Sequence, residues 1–212
     1  MIQCLDIHTH HPAPQPMAVI SASIDNFNPI DGQLYSIGIH PWDTDKQVSI
    51  QMWQKLEELA QLPCVVAIGE TGIDKLKGAP LYRQLYILNR HIQISEKLKK
   101  PLIIHDVRAH DVIVGLRREM SLSQKWAIHG FRYKPTVAKM MTDAGIFLSF
   151  GETFNPDSLI SAPVSLILAE TDDSSLSIQE IISNLSSAYG QDITPLIAKN
   201  TSNFLFDNEI SI

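Results

Sequence analysis

Eight short runs of apolar, largely β-branched residues recur along this chain, at 2–7, 17–23, 34–39, 64–68, 101–104, 126–128, 146–150 and 165–169. Most are near-continuous rather than alternating, as strands buried on both faces are. Between many of them lie stretches of helical spacing. Residues 48–62 place Ile50, Trp53, Leu56, Leu59 and Ala60 on one helical face, and 80–99 opens on a proline and closes on lysines. Residues 111–120, 135–144, 178–189 and 194–206 follow the same logic. Eight strands alternating with helices predict an α/β fold, a (β/α)8 TIM barrel; an open doubly wound sheet shares the pattern. The connections 11–16 and 24–33 are too short and too rich in proline and asparagine for full helices. The barrel is therefore expected to be trimmed, with one or two outer helices shortened or missing near the N-terminus.

Length and composition agree with one such domain over residues 1–212. A chain of 212 residues buries a substantial core, and 44% hydrophobic with 19% charged residues excludes wholesale disorder. No apolar run approaches the roughly 18 residues of a membrane-crossing helix. The start of the chain, MIQCLDIHTHHP, lacks the basic and apolar regions of a secretory signal. Two cysteines, Cys4 and Cys64, cannot form a disulfide framework. A cytoplasmic protein without a membrane partner is expected, with a monomer as the default. A net charge of −6 argues against indiscriminate nucleic-acid binding, which needs a basic footprint.

The polar residues that end these strands carry the chemistry. The first strand reads CLDIHTH, and strict alternation puts Asp6, His8 and His10 on one face. The fourth, VVAIGETGID, reaches Glu70. The fifth and sixth end in His105 and His129, and the eighth reads SLILAETD and ends in Glu170 and Asp172. The C-terminal ends of barrel strands converge on one mouth. His8, His10, Glu70, His105, His129 and Asp172 would meet there. Any one histidine alone reads best as a satisfied core or surface residue; six ligand-type residues at five strand ends read as a metal site.

Six ligands exceed what one four-coordinate ion needs. A pair of divalent cations bridged by Glu70 is the natural arrangement, with His8, His10 and Asp172 on one side and His105 and His129 on the other. Water activated between the cations is the expected nucleophile, and Asp172 the group that accepts or relays its proton. Mixed nitrogen and oxygen ligation suits zinc, manganese, cobalt or iron better than magnesium. His40, in GIHPW, faces the same mouth and is a candidate for substrate binding, with a structural role equally open. Arg108, Arg132 and Lys134 lie just past ligand-bearing strands and are candidates for phosphate contact, with solvated loop charges as the alternative. His91 and His110 read as structural or surface residues. No Gly-rich phosphate loop, dinucleotide fingerprint or nucleophile elbow is present.

These segments resemble, in order, those of the TatD family of metal-dependent hydrolases within the amidohydrolase-like barrels. DIHTH resembles its D-x-H-x-H, GIHPW its G-x-H-P-[WYH], and GETGID its G-E-x-G-L-D. PLIIHDVRA resembles P-x-x-x-H-x-R-x-A, IHGF resembles x-H-x-F, and LAETD the closing L-x-E-T-D. ITPLIAKNTSNFLF is similar to the family's last helix. The resemblance implies a barrel, a pair of divalent metals and hydrolysis of phosphodiesters, typically DNA trimmed from a 3′ end. Its ligands fall on the six residues already named, Asp172 and Glu70 being the pair nearest the chemistry. The chain departs from the family in being shorter before Leu34, in Asp106 where a serine is frequent, and in Asp173–Ser174 after ETD. The expected partner is a DNA end or a small phosphoester. Hydrolysis of a small ester or amide on the same site, and metal binding without turnover, are the alternatives.

Overall fold

The structure is a computed structural model that describes residues 4–11, 18–120 and 122–206. Eight strands, β1 (Asp6–Thr9), β2 (Ala18–Ala22), β3 (Leu34–Ile37), β4 (Val65–Asp74), β5 (Leu102–Val107), β6 (Trp126–Ile128), β7 (Phe147–Phe150) and β8 (Ile167–Ala169), pair in parallel in sequence order. The sheet closes where Asp6 pairs with Ala169. The helices are α1 (Ile50–Ala60), α2 (Leu81–Leu98), α3 (His110–Glu119), α4 (Pro135–Thr142), α5 (Pro156–Ser161), α6 (Ile178–Tyr189) and α7 (Thr194–Phe206). This is the (β/α)8 barrel, and it is trimmed where expected: residues 23–33, between β2 and β3, carry no helix. The β1–β2 connection lies from residue 12 to 17 outside the described residues.

Local chemistry sets the helix limits. Ser49 opens α1 by accepting from the Met52 amide at 3.1 Å. Ser177 and Glu180 form a reciprocal capping box on α6, which stops at Gly190 with φ +84°. Sequence periodicity misses α5, because six residues are too few to show a repeat. Its signal is the cap: Asn155 accepts from the Ser158 amide, and Pro156 takes the first turn.

The core divides by strand alternation. Leu102, Ile104, Trp126, Ile128, Leu148, Ile167 and Ala169 pack outward against helix residues such as Leu56, Ile92, Ile113 and Ile181. The residues between them, Ile103, Ala127, Phe147 and Leu168, join Ile7, Val19, Leu34 and Ala67 in a separate interior cluster. All eight strands contribute to it, so the barrel is filled rather than hollow. Phe204 and Leu205 of α7 belong to the same cluster. The terminal helix thereby closes one end of the barrel and leaves the other end for chemistry.

Two boundaries differ from expectation. Pairing of β1 begins at Asp6 rather than at residue 2, and residues 2 and 3 lie outside the described residues. The eighth run starts as a 3-10 turn at Val164–Leu166, because the buried Asn200 side chain donates to the carbonyls of Val164 (2.7 Å) and Ile167 (2.8 Å). Among the described residues, no helix is long and apolar enough to cross a membrane.

Candidate metal centre

In β5 and β6 the ligand-type residues follow from simple alternation. Ile103 points inward, so His105 does; Ala127 points inward, so His129 does. In β1 and β4 alternation alone fails. Ile7 and Ala67 join the interior cluster, yet His8, His10 and Glu70 also meet inside. The register of β1 against β2 shifts between Asp6 and Thr9, and that of β4 against β5 between Ile68 and Thr71. Such irregularities re-aim side chains beside functional sites. Gly69 lies within the second one, and a Cβ there would sit 2.6 Å from the Ile103 carbonyl. Asp6 is consequently not on the face of His8 and His10, as strict alternation had it. Its carboxylate takes the Thr171 hydroxyl at 2.6 Å and the amides of Thr171 and His8 at 3.1 Å. Burial lifts that carboxyl to about 7, and the hydrogen bonds of Thr171 and His8 only partly offset it.

Glu70 is the centre of the mouth. Its Oε2 lies 3.3 Å from His8 Nε2 and 3.5 Å from His10 Nε2. Its Oε1 lies 2.7 Å from His105 Nδ1, 2.8 Å from His129 Nε2 and 3.0 Å from His40 Nε2. Asp172 Oδ1 lies 3.6 Å from both His8 Nε2 and His10 Nε2. The loop that brings Asp172 in is tied to β1: its amide donates to the His8 carbonyl at 2.9 Å, and its carbonyl accepts from the His10 amide at 3.1 Å. Asp172 adopts φ +52°, a left-handed conformation that aspartate tolerates better than most residues. Thus all six expected ligands come together, divided by the two oxygens of one carboxylate.

The electrostatics match that division. Burial pushes the Glu70 carboxyl up, but the His129 charge and hydrogen bonds from His10, His105 and His129 outweigh it and hold the carboxyl well below its usual range. Burial pushes His129 down, and the carboxylates of Glu70 and Glu170 overcome it, raising the imidazole well above its ordinary value. The hydrogen bond to Glu70 raises His10 against the opposing effect of burial.

The donor set fits divalent cations. His8 Nε2, turned towards Glu70 and Asp172, is buried without a hydrogen-bond partner, and buried polar atoms need partners. His105 Nδ1 and His129 Nε2 face each other at 3.1 Å beside the same carboxylate oxygen. Groups of three donors within 4.8 Å of one another comprise His8–His10–Asp172, His8–Glu70–His129, His40–Glu70–His105 and His129–Glu170–Asp172. Nitrogen and carboxylate donors in this mixture suit zinc or a similar first-row ion.

His40 sits closer to the cluster than a general role in substrate contact requires. Its Nδ1 accepts from the Trp42 amide at 3.1 Å, so the neutral ring carries its proton on Nε2, aimed at Glu70 Oε1. Arg108, Arg132 and Lys134 are all exposed; Arg132 lines the cavity above the cluster, and the other two are not among its lining residues.

Three supporting residues, Glu170, Asp74 and Trp42, lie outside the expected ligand set. Glu170 is fully buried, with Oε1 accepting from the Gly130 amide and lying 3.4 Å from His129 Nδ1. Asp74 Oδ2 lies 3.5 Å from His105 Nε2 and accepts from Trp42 Nε1 at 2.7 Å. The motif letters E of ETD, D of GETGID and W of GIHPW held the signal, but only the fold shows which histidine each one serves. The departure at Asp106 has a structural answer. Its carboxylate turns away from the cluster to accept from the Ala109 amide at 2.9 Å and to pair with His110 at 3.1 Å.

The model of the family described as TatD related DNase matches residues 21–201. The chain belongs to the TatD family. TatD relatives include the Escherichia coli K12 protein named uncharacterized metal-dependent hydrolase YjjV, 26% identical over 73% of this chain and 62% of that protein. Another E. coli K12 protein, named uncharacterized metal-dependent hydrolase YcfH, is 34% identical over 67% of this chain and 56% of its own length. Both matches span less than two thirds of the relative. The crystal structure of the E. coli YjjV TatD homologue superposes with a TM-score of 0.83 at 19% identity, covering 96% of this chain and 98% of that one. A TatD-family hydrolase structure from Entamoeba histolytica superposes at 0.75 and 14% identity. These two likenesses support the TatD barrel as a fold.

Proposed function

We propose that this TatD-family chain is a divalent-metal-dependent hydrolase that cleaves a phosphodiester, with a DNA end as the substrate the family description favours. The observation that carries the reading is Glu70, whose two oxygens face two different sets of imidazoles across one buried carboxylate. In this reading His8, His10 and Asp172 would hold one cation and His105 and His129 the other, with Glu70 shared between them. Bound there, a cation pair supplies Lewis acidity and makes water acidic enough to react near neutral pH. The remaining work belongs to the chain. The Asp172 carboxylate, on a side chain partly open to solvent, would accept the proton that water gives up. The His40 Nε2 proton holds Glu70 in place. Arg132 on the cavity wall orients an anionic oxygen of the substrate. Glu170 beside His129 and Asp74 beside His105 fix ring orientation, as carboxylates behind ligating histidines commonly do.

A second reading, hydrolysis of a small ester or phosphoester, is favoured by Asp25, Asp43 and Asp173 on the cavity wall, where a polyanion would be repelled. The purified protein, incubated with manganese, zinc or magnesium and a 3′-labelled single strand, is expected to release nucleotides, and Glu70→Ala to abolish the release. Absence of release with every metal, alongside turnover of small esters, would establish the second reading in its place.

A further inference from the structure

The cavity above the cluster encloses about 820 Å³ and extends well beyond it, towards the ends of β2 and β3. That is the side on which residues 23–33 supply no helix. The uncovered edge of the outer core becomes a cavity wall there. Ile24 and Ile39 are core residues, and Val48 and Met52 pack against the same cluster while lining the cavity. The charges are distributed unequally. Beside these four residues stand Asp25, Asp43 and Lys46, and the Lys46 ammonium is already bonded to Asp43 at 2.5 Å. Arg132, the cationic side chain of the wall without such a partner, comes from the segment after β6.

We infer that this apolar arm seats an uncharged ring of the substrate, with the anionic centre at the cluster and its charged side turned towards Arg132. The inference rests on the second of the two hydrolytic readings, a small phosphoester, and adds to it a substrate class: a compact molecule carrying one apolar ring, in place of the DNA end of the first reading. Three features agree on that occupant. The arm opens directly into the cluster, so whatever fills it is attached to the reacting centre. Four of its lining side chains, Ile24, Ile39, Val48 and Met52, are apolar, beside Ser21 and Ser23, and burying a ring against those four is favourable in proportion to the area removed from water. Its remaining charges are Asp25 and the Asp43–Lys46 ion pair, which leave one uncompensated carboxylate and disfavour a second phosphate. Binding sites generally combine such an apolar wall with a few placed polar groups.

Calorimetric titration of the manganese-loaded protein with phenylphosphonate and methylphosphonate tests the arm without turnover. The two probes share a charged head and differ by the ring. Phenylphosphonate is expected to bind roughly tenfold or more tightly. Met52→Glu should abolish that preference while leaving methylphosphonate affinity unchanged, and Met52→Leu should retain it. Met52 is half-buried on α1 and is not one of the ligand-type residues, and thermal unfolding of each variant controls for folding. Equal affinity for the two probes, no binding of either, or a preference indifferent to Met52→Glu would overturn the inference. The outcome separates from that of the hydrolytic reading: ring preference with no turnover of any ester would keep the arm and remove the hydrolase, and turnover without ring preference would do the reverse.

Discussion

Two groups of buried histidines occupy this barrel, and their surroundings differ in kind. His91, on α2, is fully enclosed. Its Nδ1 donates to the Ile87 carbonyl at 2.8 Å and its Nε2 accepts from the Ile39 amide at 3.0 Å. Both ring nitrogens are thus used by the main chain, one as donor and one as acceptor, and the ring is a neutral strut between α2 and the end of β3. At the mouth, His8 is as deeply enclosed, but neither of its ring nitrogens has a hydrogen-bond partner, and two carboxylates stand beyond its Nε2. His105 and His129 each turn one nitrogen to Glu70 and the other towards Asp74 and Glu170 respectively. Burial is common to both groups; main-chain satisfaction is confined to one. A histidine whose two nitrogens are both answered by backbone belongs to the fold, and one whose nitrogens are aimed at shared carboxylates belongs to the chemistry.

Glu70→Ala should separate the two groups most sharply. Activity is expected to fall on the order of a thousandfold or more, and elemental analysis should show both cations lost, with His91 and the helices around it undisturbed in thermal unfolding. Unchanged metal content would break the distinction. The next largest effect concerns His91. Burial first, and the Arg90 charge with it, lowers its folded-state pKa from 6.5 to about 4 against the opposing Ile87 hydrogen bond. The unfolded chain therefore takes up this proton first. The contribution of His91 is intact above about pH 6.5 and is lost as pH falls towards 4, by about 3 kcal/mol. Urea unfolding between pH 4 and 8 should show that slope in the wild type and a shallower one in His91→Gln; equal slopes would contradict it.

How far these differences were legible in the sequence depends on the strand. In β5 and β6, alternation from an apolar core residue leads straight to His105 and His129. The same rule, applied to Asp106, turns it away from the mouth, where it accepts from the Ala109 amide and pairs with His110. In β1 and β4 the rule misleads, because register shifts lie between the core residue and the ligand. Asp6 was grouped with His8 and His10 for that reason, whereas the fold hands it to Thr171. Glu170, Asp74 and Trp42 stood in recognisable motifs, yet their service to His129 and His105 is a contact between strands, which no local pattern encodes. The trimming between β2 and β3 was readable from proline and asparagine content; the cavity wall that it exposes was not.

Smaller effects refine the mouth itself. Glu170→Gln leaves the fold but removes the charge behind His129, and metal affinity measured by competition with a chelating dye is expected to drop about 10- to 100-fold. An unaltered affinity would make Glu170 a core residue of the His91 kind. Arg132→Ala should raise KM roughly tenfold with metal content unchanged, since Arg132 lines the cavity without touching the cluster; unaltered kinetics would return it to the solvated loop.

Anomalous diffraction from crystals soaked in manganese addresses the bridging role of Glu70 head on. The account requires one peak between Glu70 Oε2 and the His8–His10–Asp172 group, and another between Oε1 and the His105–His129 pair. Peaks that avoid Glu70, or none at all in a mouth of this geometry, would contradict it.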